Sequence, residues 1–334
     1  MTFSGGLAKW LVPQAEVFAR MNEWGRESMP FLFVIDYAIR QPLLIPLSEV
    51  KPEAVLFKIP NRTNANETSD HAPTLGFSKL PESFSVYQQK FARAMAHIQR
   101  GDTYLLNLTC RTPVALESNL RSIFHDVNAE YKILLEDSIL VFSPECFVKI
   151  KDQRIASCPM KGTIDAALPN AENRILTDPK ETAEHYTIVD LIRNDLSQIA
   201  SSVEVDSFRH ITRIETNQKT LLQVSSTISG ALAGDWPARL GDIFQALLPA
   251  GSVTGAPKQK TCEIIDEIEG YDRGYYSGIF GVFDGNEVDS AVMIRFIEKY
   301  DAGFVFKSGG GITMYSDADA EYQEMIDKVY VPLV

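Results

Sequence analysis

Three strand-like apolar runs near the C-terminus follow one another with no helical pattern between them. They cover residues 276–283, 287–297 and 303–307. Upstream of them, helical and strand patterns also mix without the strict strand–helix alternation that a doubly wound parallel sheet requires. We therefore predict an α+β fold with large, mainly antiparallel sheets.

The other segments divide by the spacing of their apolar residues, since a helix repeats every 3.6 residues and a buried strand reads as a short apolar run. A polar, turn-rich stretch at 61–79 is the one plausible linker. The helix after it is well marked, with Ser83 as its expected N-cap and Gly101 as its stop. Helices are predicted at 14–24, 83–101, 120–128, 180–192, 238–247 and 317–329, and strands at 30–36, 54–59, 103–111, 131–142 and within 203–229.

Composition excludes several classes of function. The chain has 334 residues and a formal net charge of −12, which argues against a nucleic-acid or anionic-membrane surface because both need a positive field. The four cysteines are widely spaced, as in a reduced cytoplasmic protein. The chain shows neither a signal peptide nor a run of about 18 apolar residues. A soluble, cytoplasmic protein is expected.

Lys161 is the first candidate for chemistry. It follows a short strand-like run at 154–156 and precedes Gly162, so we predict that it lies where a strand passes into a turn. An amine held out of bulk water there would favour its neutral form, which is a nucleophile. On this pattern alone, a solvated surface lysine is the commoner interpretation.

Two pairs of glutamates have the spacing that places both carboxylates on one helix face. One pair is Glu181 and Glu184; the other is Glu321 and Glu324, with Lys328 four residues further on. A single pair is most often a solvated helix face. Two pairs on separate helices would suit Mg²⁺, which takes one or two carboxylates and keeps positions for water and a substrate oxygen.

Two further features, a run of three glycines and an arginine, could bind an anionic group of a substrate. Gly309, Gly310 and Gly311 are predicted to form a strand-to-helix turn that presents backbone N–H groups, although a plain tight turn has the same pattern. Arg295 ends an apolar run, where it could bind a substrate carboxylate or form a structural salt bridge. Residues 251–258 (GSVTGAPK) lack the spacing of a phosphate loop.

Glu145 lies just past the apolar run at 139–142. Partial desolvation there would raise the pKa of its carboxyl group and suit it to general acid catalysis. A turn glutamate with no such role is the more ordinary interpretation.

Together these segments resemble the chorismate-utilising enzymes, which include the aminodeoxychorismate, anthranilate, isochorismate and salicylate synthases. The resemblance covers roughly residues 83 to the C-terminus and is carried by PMKGT at 159–163, ETAEHYTIVDLIRNDL at 181–196, GSVTGAPK at 251–258, RGYYSG at 273–278, and GGGI at 309–312 with Glu321, Glu324 and Lys328. It implies a large sandwich of mainly antiparallel sheets with helices outside and a deep cleft. It also implies a catalytic domain at 83–334, on which an abbreviated N-terminal segment (1–82) packs.

The resemblance also implies roles for the candidate residues. Glu184 and Glu324 correspond to Mg²⁺ ligands, supported by Glu181 and Glu321. The substrate chorismate would be held through its carboxylates, and Glu145 would protonate the departing hydroxyl. The substrate-binding residues implied are Gly162, Thr163, Gln223, Ser252, Tyr276, Arg295, Gly309, Gly310, Gly311 and Lys328.

Three positions indicate which member of the family the chain resembles. Lys161 within P-x-K-G-T is similar to the aminodeoxychorismate synthases, whereas anthranilate synthases carry alanine there. Leu105 stands where isochorismate synthases carry a water-activating lysine, and a leucine cannot activate water. Gln223 stands where many members have histidine, so elimination of pyruvate should be poor and should be left to a separate lyase.

The resemblance therefore implies amination of chorismate at C4 through a covalent Lys161 intermediate. Because the sequence contains no recognisable glutaminase, ammonia is expected from a separate glutamine amidotransferase subunit. A downstream aminodeoxychorismate lyase is expected as a functional partner. Anthranilate synthase component I remains the nearest alternative, and isochorismate synthase is a more distant one.

Overall fold

The computed structural model describes residues 3, 6–66, 76–215, 220–301 and 303–332, with the backbone alone at 180, 214 and 215. The described α-helices are α1 (Val17–Arg26), α2 (Phe84–Arg100), α3 (Leu120–Asp126), α4 (Ala171–Thr177), α5 (Pro179–Ser197), α6 (Leu240–Leu247), α7 (Lys258–Glu269) and α8 (Ala318–Asp327). No helix in these ranges has the length and apolar character needed to cross a bilayer.

The described strands form two nine-stranded sheets. The first half of the chain contributes β1 (Phe31–Ile35), β2 (Leu43–Pro46), β3 (Val55–Ile59), β4 (Arg62–Thr63), β5 (Phe77–Lys79), β6 (Leu105–Leu116), β7 (Tyr131–Leu135), β8 (Ile139–Ser143), β9 (Cys146–Lys151), β10 (Arg154–Ser157) and β11 (Met160–Asp165). The second half contributes β12 (Ser201–Glu215), β13 (Thr220–Ala231), β14 (Gly255–Ala256), β15 (Ile279–Phe283), β16 (Val288–Val292), β17 (Phe296–Tyr300) and β18 (Gly303–Ile312).

Both sheets pair antiparallel between the described strands. The first sheet runs β11-β13-β10-β9-β16-β15-β1-β2, with β12 on β13; the second runs β14-β6-β18-β17-β8-β7-β3-β4, with β5 on β6. Mixed helices and antiparallel sheets of this kind confirm the predicted α+β class.

The two sheets pack face to face, and β1 shows how. Its alternate residues Leu32 and Val34 pack with Tyr131 and Ile133 of the second sheet, whereas Phe31 and its companions on the opposite face join the core under α1 and α6. A strand covered on both faces reads as an unbroken apolar run, as β1 does. On the second sheet, α3 covers one end and α2, α7 and α8 cover the other. The helices therefore lie outside a sheet sandwich.

Two predicted strands are each broken in the structure. The run at 131–142 is the hairpin β7–β8, because Glu136 and Asp137 both take positive φ, at 44° and 50°, which suits a tight two-residue turn. The run at 287–297 divides into β16 and β17, because Arg295 has a φ of 53°. The predicted linker at 61–79 contains the short strands β4 and β5, and its residues 67–75 lie outside the described ranges.

Strands from the N-terminal segment belong to both sheets. β1 and β2 lie at one end of the first sheet, and β3 and β4 lie at one end of the second. The division of the chain at residue 82 stays a prediction.

Candidate active site

Lys161 lies inside β11, one residue after the strand begins, rather than in a turn after a strand. The pairing of β11 with β13 is irregular between Met160 and Thr163, and Gly162 has a φ of 83°. This bulge re-aims the lysine side chain. Its Nζ lies 3.4 Å from Oε2 of Glu184, and the two side chains are only 18% and 7% exposed.

The charge on Lys161 differs from the sequence expectation. Burial alone would lower the pKa of the amine, but the carboxylates of Glu184, Glu324, Glu181 and Glu145 outweigh it, and the net pKa is raised. The amine is therefore an ammonium in this arrangement, and the prediction of a neutral amine from burial alone is wrong. The same four carboxylates show that the two helices and Glu145 converge on Lys161.

Helices α5 and α8 each bring one pair of glutamates. Asp178 caps α5 by accepting from the Glu181 backbone N–H at 2.9 Å, and Asp317 caps α8 by accepting from Ala320 at 3.0 Å. Glu184 and Glu321 are buried, at 6% and 2% exposure. The interpretation of either pair as a solvated helix face is therefore wrong.

The prediction that Gly309, Gly310 and Gly311 form a strand-to-helix turn is wrong. All three lie within β18, where they pair with residues of β6, and α8 begins only at Ala318. No helix N-terminus therefore acts through these glycines. Beyond Lys307 the neighbouring strand β17 no longer pairs with β18, which leaves one edge of the glycine segment open on the side of α8.

The glycines make room for the charged side chains. A β-carbon on Gly311 would lie 3.3 Å from Lys161 Nζ, and one on Gly310 would lie 3.2 Å from Glu321 Oε2. At the open edge, Lys328 Nζ donates to the Gly309 carbonyl at 2.9 Å and pairs with Glu324 at 2.7 Å. Gly310 thus lies beside Glu321, Glu324 and Lys328, and Gly311 lies beside Lys161 and Glu184.

Glu145 lies between β8 and β9. Burial raises the pKa of its carboxyl group, while a hydrogen bond with the Ser252 side chain and the charges of Lys161 and Lys328 oppose that rise. Its backbone is fixed, because its N–H donates to Ser143 Oγ at 3.1 Å and its carbonyl accepts from Val292 at 3.1 Å. The raised pKa agrees with the sequence expectation.

Arg295 and Tyr276 both lie near the start of β17. Arg295 donates from Nη1 to the Lys328 carbonyl at 2.7 Å, and its guanidinium lies 4.9 Å from the ring centre of Tyr330. Tyr276 is 4% exposed and packs edge-on against Phe296 at 5.7 Å. Arg295 therefore contacts the C-terminal end of α8, next to Lys328, rather than ending a continuous strand.

Thr163 and Gln223 are neighbours across the β11–β13 pairing. The Thr163 side chain is exposed, and Gln223 is half-buried. A β-carbon on Gly162 would lie 3.0 Å from Glu181 Oε2, so this glycine lets the strand approach α5 closely. The structure thus brings Glu145, Glu181, Glu184 and Glu324 together around Lys161, whereas the roles of Thr163 and Gln223 stay predictions.

The carboxylates suit a hard divalent cation by their chemistry. Over the described ranges, no three His, Cys, Asp or Glu side chains stand close enough together to hold a metal ion. Glu184 is paired with Lys161, and Glu324 with Lys328. In this arrangement the lysines supply the positive charge that these carboxylates need, so Mg²⁺ stays a prediction.

Sequence reasoning assigned no role to a buried ion pair beneath the site. Arg273 donates to both carboxylate oxygens of Glu269, at 2.6 and 2.9 Å, and the two side chains are each 1% exposed. It also donates to the carbonyls of Val253 at 2.8 Å and Asn107 at 2.7 Å. Arg273 therefore joins α7, β6 and the 251–258 loop, and its place in the RGYYSG segment was the only signal.

His185 was missed as well. It is 1% exposed, and its Nε2 lies 2.6 Å from Ser226 Oγ. Burial lowers the pKa of the imidazole to about 4, so the ring is neutral at physiological pH. Because Ser226 belongs to β13, this contact holds α5 against that strand. His185 directly follows Glu184, so the contact also helps to position Glu184. A histidine inside an otherwise helical segment offers little signal of such a role.

Comparison with known proteins agrees with this geometry. The profile of the chorismate binding enzyme family matches residues 43–334, and the chain belongs to that family. An uncharacterised PabA-like protein of Haemophilus influenzae is 49% identical over 312 residues, covering 93% of this chain and 95% of the relative.

More distant relatives carry different activities in their names. Anthranilate synthase component 1 of Haloarcula marismortui is 36% identical, over 70% of this chain and 49% of its own. Aminodeoxychorismate synthase component 1 of Klebsiella aerogenes is 32% identical, over 73% and 56%. The chain thus spans about half the length of these two relatives.

The fold has solved counterparts. The menaquinone-specific isochorismate synthase of Escherichia coli superposes with a TM-score of 0.70 at 15% identity, covering 95% of this chain and 81% of the other. This likeness concerns the fold alone, and it confirms the predicted chorismate-utilising enzyme architecture.

Proposed function

We propose that this protein is the synthase component of an aminodeoxychorismate synthase, which converts chorismate and ammonia to 4-amino-4-deoxychorismate for 4-aminobenzoate and folate synthesis. The observation that carries the proposal is the position of Lys161. Its amine is enclosed by carboxylates over Gly311, and Leu105 Cδ1 lies 3.1 Å from the same β-carbon position. The site thus offers a primary amine where Leu105 cannot activate water.

In the proposed reaction Lys161 is the nucleophile and Glu145 the general acid. The Lys161 ammonium first loses a proton to water. The neutral amine then attacks C2 of the ring, both ring double bonds shift, and the C4 hydroxyl departs as water with the proton of Glu145. Ammonia then attacks C4, both double bonds shift back, and the bond from C2 to Lys161 breaks. The new ammonium group at C4 returns a proton to Glu145. The lysine is released and the net change is replacement of hydroxyl by amine.

Mg²⁺ would be held by Glu184 and Glu324, with Glu181 and Glu321 beside them, and would supply a positive charge that binds the ring carboxylate of chorismate. The protein groups then orient the substrate. Their spatial arrangement around Gly310 and Gly311 supports this assignment, because each glycine admits carboxylates from one helix.

The second carboxylate of chorismate, on the enolpyruvyl group, is assigned to Arg295, Tyr276 and the open edge of β18. Residues two apart on a strand direct their backbone groups to the same side. Because the Gly309 carbonyl faces Lys328, the N–H groups of Gly309 and Gly311 lie on that open edge. They replace the helix N-terminus that the sequence predicted.

Ammonia would come from a glutamine amidotransferase subunit, and a separate lyase would remove pyruvate. Gln223 supports the second point, because an amide side chain cannot shuttle a proton at neutral pH. The cysteines, which are thiols throughout the described chain, support a cytoplasmic location.

Anthranilate synthase component I is the alternative, favoured by the 36% identity to the Haloarcula protein. The two activities are separated by incubating the protein with chorismate, Mg²⁺ and ammonium and identifying the product by mass and fluorescence. We expect 4-amino-4-deoxychorismate, which yields 4-aminobenzoate only after a lyase is added. Fluorescent anthranilate without a lyase would overturn the assignment. Isochorismate formed without ammonium would instead favour an isochorismate synthase.

A further inference from the structure

A small cavity adjoins Glu145 on the first sheet. Its volume is about 20 Å³, and its lining includes Glu145, Ser252, Ala250 and Asp195. A cavity of roughly 10–15 Å³ on this measure already holds one water. This one therefore admits a molecule the size of water or ammonia and excludes chorismate.

A much larger groove opens on the surface beside α5. Its volume is about 970 Å³, and α5, α6 and α7 contribute Asp190, Asn194, Ala246 and Asp266 to its walls. The carboxylates along it attract a small cation such as ammonium.

Asp195 lines both the groove and the cavity. Its Oδ2 accepts from Lys258 Nζ at 2.8 Å, and Lys258 also donates to the Leu247 carbonyl at 2.9 Å. A β-carbon on Gly251 would lie 3.1 Å from the same Asp195 oxygen. Asp195 therefore borders both spaces, and Gly251, which lines the cavity, approaches the same side chain.

On the far side of the cavity, Glu145 is within hydrogen-bonding reach of Ser252 and feels the charge of Lys161. A series of neighbours thus runs from the surface groove through Asp195 and the cavity to Glu145. Only the last of these groups belongs to the catalytic machinery described above.

We infer that ammonia reaches the site along this series, from the α5 groove past the Asp195–Lys258 pair and through the cavity beside Glu145. Ammonium collects in the groove, leaves its proton with solvent water there, and crosses as neutral ammonia. The inference rests on the proposed amination of chorismate, because a reaction without ammonia needs no such route.

Two substitutions narrow the route without touching the catalytic groups. Ala250→Val fills the cavity, where the alanine is 1% exposed, and Ala246→Trp obstructs the half-buried groove wall. The matched control is Ala233→Trp at an exposed position that lines neither space. Each purified variant is assayed with Mg²⁺ for amination at varied ammonium and saturating chorismate, and then at varied chorismate.

We expect the KM for ammonium to rise at least about fivefold in both narrowing variants, with the KM for chorismate within about twofold of wild type. The control should match wild type. An unchanged KM for ammonium in the variants that fold, judged by circular dichroism, overturns the route while leaving the amination intact. If Ala250→Val does not fold, the KM for ammonium of Ala246→Trp alone decides whether the route holds. A wild-type protein that forms no amination product overturns the proposed function and the route together.

Discussion

The amine of Lys161 lies 3.4 Å from a carboxylate oxygen of Glu184, and the pair rests on Gly311. One partner comes from a bulged strand of the first sheet and the other from α5, while Gly311 belongs to the second sheet. The approach of this pair to Gly311 therefore depends on the packing of the two sheets against each other. The primary amine of Lys161 therefore lies where the first sheet meets the second.

Replacing Lys161 by alanine tests the covalent mechanism. Loss of the nucleophile should lower ammonium-dependent turnover of chorismate by at least about 1,000-fold. Lys149→Ala on the nearby β9, whose lysine pairs with Asp289 at 3.7 Å, is the control and should retain activity. Turnover of the Lys161 variant within about tenfold of wild type would exclude a covalent lysine intermediate.

Glu324→Gln tests the metal assignment. The substitution keeps the shape of the side chain but removes the charge, so the Mg²⁺ concentration needed for half-maximal activity should rise about 10- to 100-fold. A second readout is the shift in melting temperature that Mg²⁺ causes without substrate, which should shrink in parallel. Glu172→Gln at an exposed position on α4 should change neither quantity. An unaltered Mg²⁺ requirement in the Glu324 variant would remove it from the ligand set.

The pH dependence of the reaction tests Glu145. Because burial raises the pKa of its carboxyl group, the acid stays protonated to a higher pH than an ordinary glutamate. The proton is lost as pH rises through that pKa, so kcat/KM should fall on the alkaline side of it. The same group also stabilises the fold below its unfolded pKa and loses that contribution over the same rise.

Glu145→Gln should lack this alkaline fall and should be about 100- to 10,000-fold slower. The exposed Glu130→Gln serves as the control, with the wild-type profile expected. A Glu145 variant that retains the alkaline limb would show that another group titrates in the reaction.

The buried Arg273–Glu269 pair should matter for stability. Arg273→Met leaves the Glu269 carboxylate buried beside the carbonyls that the arginine had bound, and should lower the free energy of unfolding by about 3–5 kcal/mol. Arg20→Met breaks an exposed pair with Glu16 and should cost less than about 1 kcal/mol. Urea unfolding followed by circular dichroism compares them. Equal losses would contradict a structural role for the buried pair.

Local spacing was enough to predict most helices, the fold class and the carboxylate pairs. Glu181 and Glu184 share a face because of helical geometry alone, and Asp178 and Asp317 occupy cap positions. Features that depend on partners distant in sequence were harder. The triple glycine looked like a turn, because a run of glycines carries no pattern that distinguishes a strand from a loop.

Its true role becomes visible only when β6 pairs with β18 and α5 and α8 approach opposite sides of it. The charge of Lys161 was misjudged for the same reason. The local pattern alone favoured a solvated lysine, and in the structure four carboxylates from three separate segments outweigh burial in setting its pKa. Long-range electrostatics of this kind cannot be read from neighbouring residues.

Gly311→Ala tests whether a glycine is needed at this position to make room for the Lys161 amine. The added β-carbon would lie 3.3 Å from Lys161 Nζ and 3.1 Å from Leu105 Cδ1, so the amine must move. Because small displacements of reacting groups are costly, we expect kcat/KM for amination to fall by about 10- to 100-fold. The β-strand itself accepts alanine, so the melting temperature should change little.

Gly303→Ala supplies the matched control, because it lies on the same strand and its β-carbon would meet no atom within 4 Å. It should keep wild-type kinetics and stability. Equal kinetic losses in both variants would mean that the loss does not come from contact with Lys161. A Gly311 variant with unchanged kcat/KM would show that the reaction does not depend on the position of the Lys161 amine beside this strand. That result would contradict the role proposed for Lys161.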